Sequence, residues 1–444
     1  MSGSLSNVCR SLVAVGWVGM AVAICLFVAP GCDSQPISFS GNALEKVKQE
    51  HVSGADLGQA ESDIQAIMQA WFGTPDQPIV PVALQDLVQV DRIERSAGPV
   101  SSTEDGEHQG LYREHCAVCH GLNGNGRGPA SGLQNPYPRD FRMGVYKFKS
   151  TPRGTPPTRE DLLATLHRGA PGTAMPTFHS LPESDREALV DYVIYLSVRG
   201  MLERQLWQIA AEEFDYDSQP LPPEERLYAA GNEGTDDPAF VQQVAAIDEL
   251  LLEITQAWLN APQLALEIPE VPADVGRNVG TAEEEDSELV EIHDASVARG
   301  KALFHGQTAN CVGCHGPAGK ADVATLDFDD WTKDWTTRIN ITPTDTDAIA
   351  PFRAAGALRP RPAKPRNLQL GAFHGGSDPG LLYTRIVNGI DGTPMPAMEL
   401  VEHPQPVGLT QRQVWDLINY VLSLSPADVA PLASESLVLP ESSR

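Results

Sequence analysis

Cys116-Ala117-Val118-Cys119-His120 and Cys311-Val312-Gly313-Cys314-His315 repeat one short pattern in two distant parts of the chain. Each places two thiols three positions apart and an imidazole directly after the second. One occurrence is compatible with chance or with half of a zinc site, but a four-ligand zinc site needs partners that this sequence does not supply. Cys9, Cys25 and Cys32 are the only other cysteines, and all lie near the start. The spacing therefore points to a group that bonds both sulfurs and accepts the histidine as well.

A haem does this. Its two vinyl groups take the two thiols, and the following histidine comes to lie beneath the iron. Two such units predict two covalently attached c-type haems, held by Cys116, Cys119 and His120 and by Cys311, Cys314 and His315. The sixth iron ligands are expected to be Met175 and Met395, because each stands in a Gly-Thr-x-Met-Pro loop ahead of a terminal helical pattern. A thioether ligand raises the haem potential, and the proline after it restricts the loop backbone. The bland alternative for either is a core methionine. Met143 and Met398 are the nearest competitors, and His167, His179, His374 and His403 are read as structural or exposed.

The surroundings of the two motifs are also duplicated. Pro138-Arg139-Asp140-Phe141 with Gly144 matches Pro365-Arg366-Asn367-Leu368 with Gly371. Arg139 and Arg366 suit the haem propionates, since a fixed guanidinium pairs well with carboxylates; exposed, solvated arginines are the equal alternative. Gln69-Ala70-Trp71-Phe72 returns as Gln256-Ala257-Trp258-Leu259, each closing an amphipathic stretch, over 58–72 and 238–259. Both halves end in apolar positions at helical spacing, around Tyr192 and Tyr420. The second half carries an insertion, with His315 and Pro365 50 positions apart against 18 for His120 and Pro138. Its Trp331 and Trp335 are candidates to cover the second haem.

The formal charge is −27, but residues 201–295 alone hold 23 Asp or Glu against three Arg and no Lys. The acidity thus belongs mainly to a connector, and no basic nucleic-acid footprint exists. Basic residues cluster around Arg139, Arg142, Lys147, Lys149 and Arg153, and around Arg353, Arg359, Arg361, Lys364 and Arg366. Such patches are able to steer an acidic redox partner, although a plain solvated surface is the competing reading. Residues 11–31 contain no charged side chain and follow Arg10, which is the shape of an export signal. Ala29-Pro30-Gly31-Cys32 resembles the lipobox of bacterial lipoproteins, which implies lipidation at Cys32. An uncleaved signal anchor is the alternative, and either tethers the protein to a membrane.

Both halves resemble class I cytochrome c domains. The shared features are the cysteine–histidine units, the two Met loops and, in the second half, Gly300-Lys301-Ala302-Leu303-Phe304 ahead of the haem cysteines. In the first half Tyr112 takes the aromatic position, and His108 stands where the glycine is expected. The Pro-Arg-Asp/Asn and Gly-Thr-x-Met-Pro combination also resembles cytochrome subunits that accompany membrane respiratory complexes. The resemblance implies an all-α fold in which two class I cytochrome c-like haem domains are joined by an acidic helical connector, with an N-terminal helical arm. The expected divisions are an export signal or anchor (1–32), the arm (33–100), cytochrome c domain 1 (101–203), the connector (204–292), domain 2 (293–428) and a tail (429–444). The expected role is electron transfer outside the cytoplasm, periplasmic or on the outer face of the membrane. The partners would be a redox donor and acceptor, in a membrane respiratory complex. A dihaem peroxidase is the enzymatic alternative, and it requires one iron with an open sixth position.

Overall fold

A computed structural model describes residues 37–217, 221–276, 287–323 and 327–425. The export segment 11–31, Cys32 and the tail 429–444 lie outside the described residues. Helices dominate. Strand pairing is confined to a hairpin of two-residue strands, β1 (Ser101–Ser102) and β2 (His108–Gln109), and to isolated bridges. The expectation of an all-α fold is met.

The first half is built around α7 (Glu183–Glu213), a helix of 31 residues. Tyr192, Tyr195, Leu196, Val198, Leu206, Trp207 and Ala210 are all buried along it. A helix that is apolar on every side must be covered on every side. The cover comes from α1 (Ala43–Ser53), α2 (Gly58–Phe72) and α3 (Val90–Ser96) of the arm, the single turns α4 (Leu111–His115) and α5 (Ala117–His120), and α6 (Arg159–Arg168). The last side is taken by α8 (Pro238–Asn260), the helix of the acidic connector, which buries Phe240, Ile247, Leu251, Ile254 and Trp258.

The division expected at residue 203 falls inside α7. The buried positions Leu206, Trp207 and Ala210 continue its stripe, so nothing local ends the helix there. The connector helix packs into the same hydrophobic core as the first haem motif. Its acidic side chains face out, while Trp258 meets Tyr146 edge-on with ring centroids 6.1 Å apart. The duplicated stretches α2 and α8 also touch, the Trp71 Nε1–H donating to Asp248 at 2.8 Å.

In the second half α9 (Ser287–His305) crosses α14 (Gln411–Ser423). Gly300 makes the crossing possible, because a Cβ there would overlap the Asp416 carbonyl oxygen. Phe304 and Tyr420 pack edge-on beside it at 5.2 Å. Asp416 is buried, accepting from the Ser296 hydroxyl at 2.6 Å and from both arms of the Arg299 guanidinium. The single turn α10 (Val312–His315) and the helix α13 (Pro379–Val387) complete the domain.

The insertion contains α11 (Asp330–Lys333) and α12 (Ala350–Ala354). Trp335 stacks on Phe352 and joins Ile341 and Ile349 in a small core completed by Leu44 and Val47 of α1. Beside it Asp334 accepts from Lys48 and Arg204. Trp335 therefore packs the long loop and fastens the insertion to the arm, the alternative to covering the second haem.

Candidate haem-iron centres

Each histidine of the two cysteine–histidine units ends a single helical turn, and each is oriented by one main-chain oxygen. His120 Nδ1 donates to the Arg139 carbonyl at 2.9 Å, and His315 Nδ1 donates to the Arg366 carbonyl at 3.0 Å. That bond fixes the proton on Nδ1 and leaves the Nε2 lone pair for a metal. Burial pushes His120 down to about 4 and lowers His315 as well, so both rings are neutral. Phe141 stacks on His120 with centroids 4.6 Å apart. Burial pushes the Cys116 and Cys311 thiols up, to about 12 and about 11. Among the described residues no three His, Cys, Asp or Glu side chains come together to hold a bare metal ion.

The loop after each histidine follows one hydrogen-bond plan. Gly126 N–H returns to the His120 carbonyl and Ala321 N–H to the His315 carbonyl, both at 2.9 Å. Phe141 N–H donates to Gly124, and Leu368 N–H to Gly319, both at 2.7 Å. Asp140 and Asn367 then cap the 3-10 turns Phe141–Met143 and Leu368–Leu370 through the amides of Arg142 and Gln369. Gly144 and Gly371 end those turns at φ 66° and 65°, a left-handed backbone that favours glycine. The duplicated Pro-Arg-Asp/Asn-x-x-x-Gly pattern is thus a device for aiming a carbonyl at the histidine. The feature common to Arg139 and Arg366 is that main-chain oxygen.

The Met175 and Met395 loops are likewise built alike. The Thr173 and Thr393 hydroxyls donate to the carbonyls of Ala170 and Ile390 at 2.7 Å. Each accepts from the methionine amide, at 3.1 Å for Met175 and 3.3 Å for Met395. The amides of Ala170 and Ile390 close the loops onto the Met175 and Met395 carbonyls. Both methionines are half-buried. Among their competitors, Met143 lines a cleft with Glu45, Met201 and Arg204, while Met398 packs on the core of the second domain. His374 Nε2 is bonded to the Arg366 guanidinium at 2.6 Å, and His179 to Thr177. His167 lies edge-on to His179, and His403 is exposed.

The guanidinium groups have separate surroundings. Arg139 is half-buried and stacks over the Trp331 ring at 3.2 Å, with no carboxylate within ion-pair reach among the described residues. Burial brings it down to about 10. Lys147 lies over the same ring at 5.7 Å, also without an ion-pair partner, and burial followed by the Arg139 charge brings it down to about 7. The Asp329 charge only partly offsets the loss of solvent at both groups. Two cations side by side over one ring suit the carboxylates of haem propionates, so the residues present fit the group. Trp331 also donates to the Asp140 carbonyl at 3.2 Å and lies against Gly392 of the Met395 loop, placing it between the two haem motifs. Arg366 donates to the Ala372 carbonyl and lies against Gly172 of the Met175 loop.

The basic patches are largely used within the chain. Arg142 pairs with Asp140, Lys149 with Asp391, and Arg361 donates to Gln134 and Gly132. Arg153 donates to three carbonyls of the Met395 loop. These cations thus serve contacts within the chain.

An all-α chain with two identically oriented histidines, each following a thiol pair, has the architecture of a c-type cytochrome. The Cytochrome c family model matches residues 107–197 and 297–425, and the chain thus carries two cytochrome c domains. Among solved structures it is similar to a chain of the Kuenenia stuttgartiensis reducing HAO-like protein complex Kustc0457/Kustc0458. The identity is 23% over 74% of this chain and 99% of that chain, with a TM-score of 0.41. No curated protein gives a match. Cytochrome c domains hold haem c covalently and serve haem-based electron transfer. No helix among the described residues is long and apolar enough to cross a membrane.

Proposed function

We propose that this protein is a dihaem electron carrier in which each iron is held by one histidine and one methionine, His120 with Met175 and His315 with Met395. When bound, the haem iron supplies a one-electron ferric–ferrous couple. The observation that carries the reading is the twofold occurrence of one arrangement: a histidine oriented through Nδ1 by a main-chain carbonyl, and a threonine-locked methionine loop in the same domain. A locked loop keeps its sulfur in place through oxidation and reduction, which limits reorganisation and denies the iron to peroxide. That favours a carrier over the dihaem peroxidase. Arg139, Lys147 and Arg366 are assigned to the propionates.

Residues 11–32 support export and attachment to the outer face of a membrane, through a lipid at Cys32 or an uncleaved anchor. The partners are a redox donor and acceptor at that surface, in a respiratory complex.

The test is the mass of the purified chain. It is expected to exceed the polypeptide by two haems, and by one haem in the variant Cys311→Ser/Cys314→Ser. A chain with one haem, or one that turns over peroxide, would overturn the reading.

A further inference from the structure

The second Met loop is held from outside its own domain. Arg153, in the segment that follows the first domain's 3-10 turn, sends Nη1 to the carbonyls of Ile390 at 3.0 Å and Met395 at 2.9 Å, and Nη2 to that of Thr393 at 3.2 Å. The next residue, Gly154, donates its amide to Asp391 Oδ2 at 2.9 Å, and Lys149 pairs with the same carboxylate at 3.0 Å. Ser150 accepts from the Asn388 amide at 2.8 Å. Residues 149–154 therefore grip residues 388–395 at four places. Among the described residues, no side chain of the second domain donates to a carbonyl of the Met175 loop.

We infer that Arg153 is a positioning residue for the sixth ligand of the second haem iron, so that methionine ligation in one domain depends on docking by the other. This rests on the reading of Met395 as that ligand. The three carbonyls belong to the turn that presents the sulfur. The Ile390 and Met395 carbonyls already accept bonds within the loop, and one flat guanidinium adds a bond to each of them and to the Thr393 carbonyl. Without it, solvent would compete for these oxygens, and the loop would keep its own Thr393 and Ile390 bonds and the Asp391 contacts. A lysine has the charge but not the planar fork, and it cannot bridge the three oxygens together.

The experiment uses the full-length haem protein and compares Arg153→Ala, Arg153→Lys and Met395→Ala with the parent. It reads the long-wavelength band of sulfur-ligated ferric haem, carbon monoxide binding to the ferrous protein, and the two haem potentials. Arg153 is exposed, and circular dichroism monitors the fold. Arg153→Ala is expected to reduce the sulfur band by up to about half, lower the potential of one haem only, and admit carbon monoxide to that haem. Arg153→Lys is expected to fall between it and the parent. An unchanged band and potentials in Arg153→Ala, while Met395→Ala loses its share of the band, would overturn the inference and leave the ligand assignment standing. An unchanged band in Met395→Ala would overturn both. Equal disturbance of both haems by Arg153→Ala would also count against it, because a positioning role is confined to one iron.

Discussion

Arg153 and Met395 stand 242 positions apart, yet the guanidinium of the first donates to the main-chain carbonyl of the second at 2.9 Å. The bond lies in a contact that places the methionine loop of the second domain against the polar segment 149–154 of the first. Reciprocally, Arg366 of the second domain lies against Gly172, in the methionine loop of the first. Each domain therefore lies against the other at the loop proposed to ligate iron.

The anchor of that contact is the buried pair Lys149–Asp391. Burial alone would raise the Asp391 carboxyl, but the Gly154 amide and the Lys149 ammonium outweigh it and hold the group below its ordinary value. Its stabilising contribution is therefore present above the unfolded carboxylate pKa, about 4, and is lost as pH falls through the lower folded value. Asp391→Ala leaves Lys149 buried with the Pro152 and Thr155 carbonyls but without a counter-charge, and is expected to cost about 3 kcal/mol. Urea unfolding at neutral pH checks the loss. The difference between parent and variant should narrow on acidification below about pH 4.

Gly300 allows α9 to approach the backbone of α14 at Asp416. Gly300→Ala is expected to destabilise the second domain by about 1–3 kcal/mol, because the helices must separate to admit a methyl group. Thermal unfolding followed at the haem absorbance should show this loss in one domain. An unchanged melting curve would contradict the crossing.

Trp258 belongs by repetition to the second unit, but its ring is buried in the first. Trp258→Ala is expected to cost about 3–5 kcal/mol. Limited proteolysis should then expose the first domain ahead of the second. Preferential cleavage in the second domain would refute the packing.

What could be read from the amino acids differed by kind of interaction. The haem cysteines and histidines and the Met loops follow from local spacing, the all-α class follows from the resemblance to class I cytochrome c domains, and the amphipathic stretches 58–72 and 238–259 match α2 and α8 closely. The Asp140 and Asn367 caps, with Gly144 and Gly371 after them, were also present as a signal. They mark a turn, and a turn's carbonyl was a simpler reason for the repeat than the arginine side chains. Contacts across long separations left no such trace. The stacking of Trp335 on the arm's side of the insertion, the docking of α8 on α7 and the grip of Arg153 join residues whose local patterns predict only a helix, a loop and a charge. The internal partners of the basic residues are either distant carboxylates, as Asp391 is for Lys149, or main-chain oxygens, which any sequence supplies.

Lys147 and Arg139 over the Trp331 ring make a further prediction. Removing a half-buried positive charge beside a haem favours the oxidised form, so Lys147→Met is expected to lower the potential of the nearer haem. A redox titration checks this, and equal potentials in parent and variant would remove Lys147 from the propionate set.

The central claim is that both irons have a histidine and a methionine as axial ligands. The most direct test is to expose the dithionite-reduced protein to carbon monoxide and follow the haem absorbance, with Met175→Ala and Met395→Ala as references. The parent is expected to bind none, and each variant to gain one carbon monoxide-binding haem. Carbon monoxide binding by the parent, or variants that remain closed to it, would rule out this ligation.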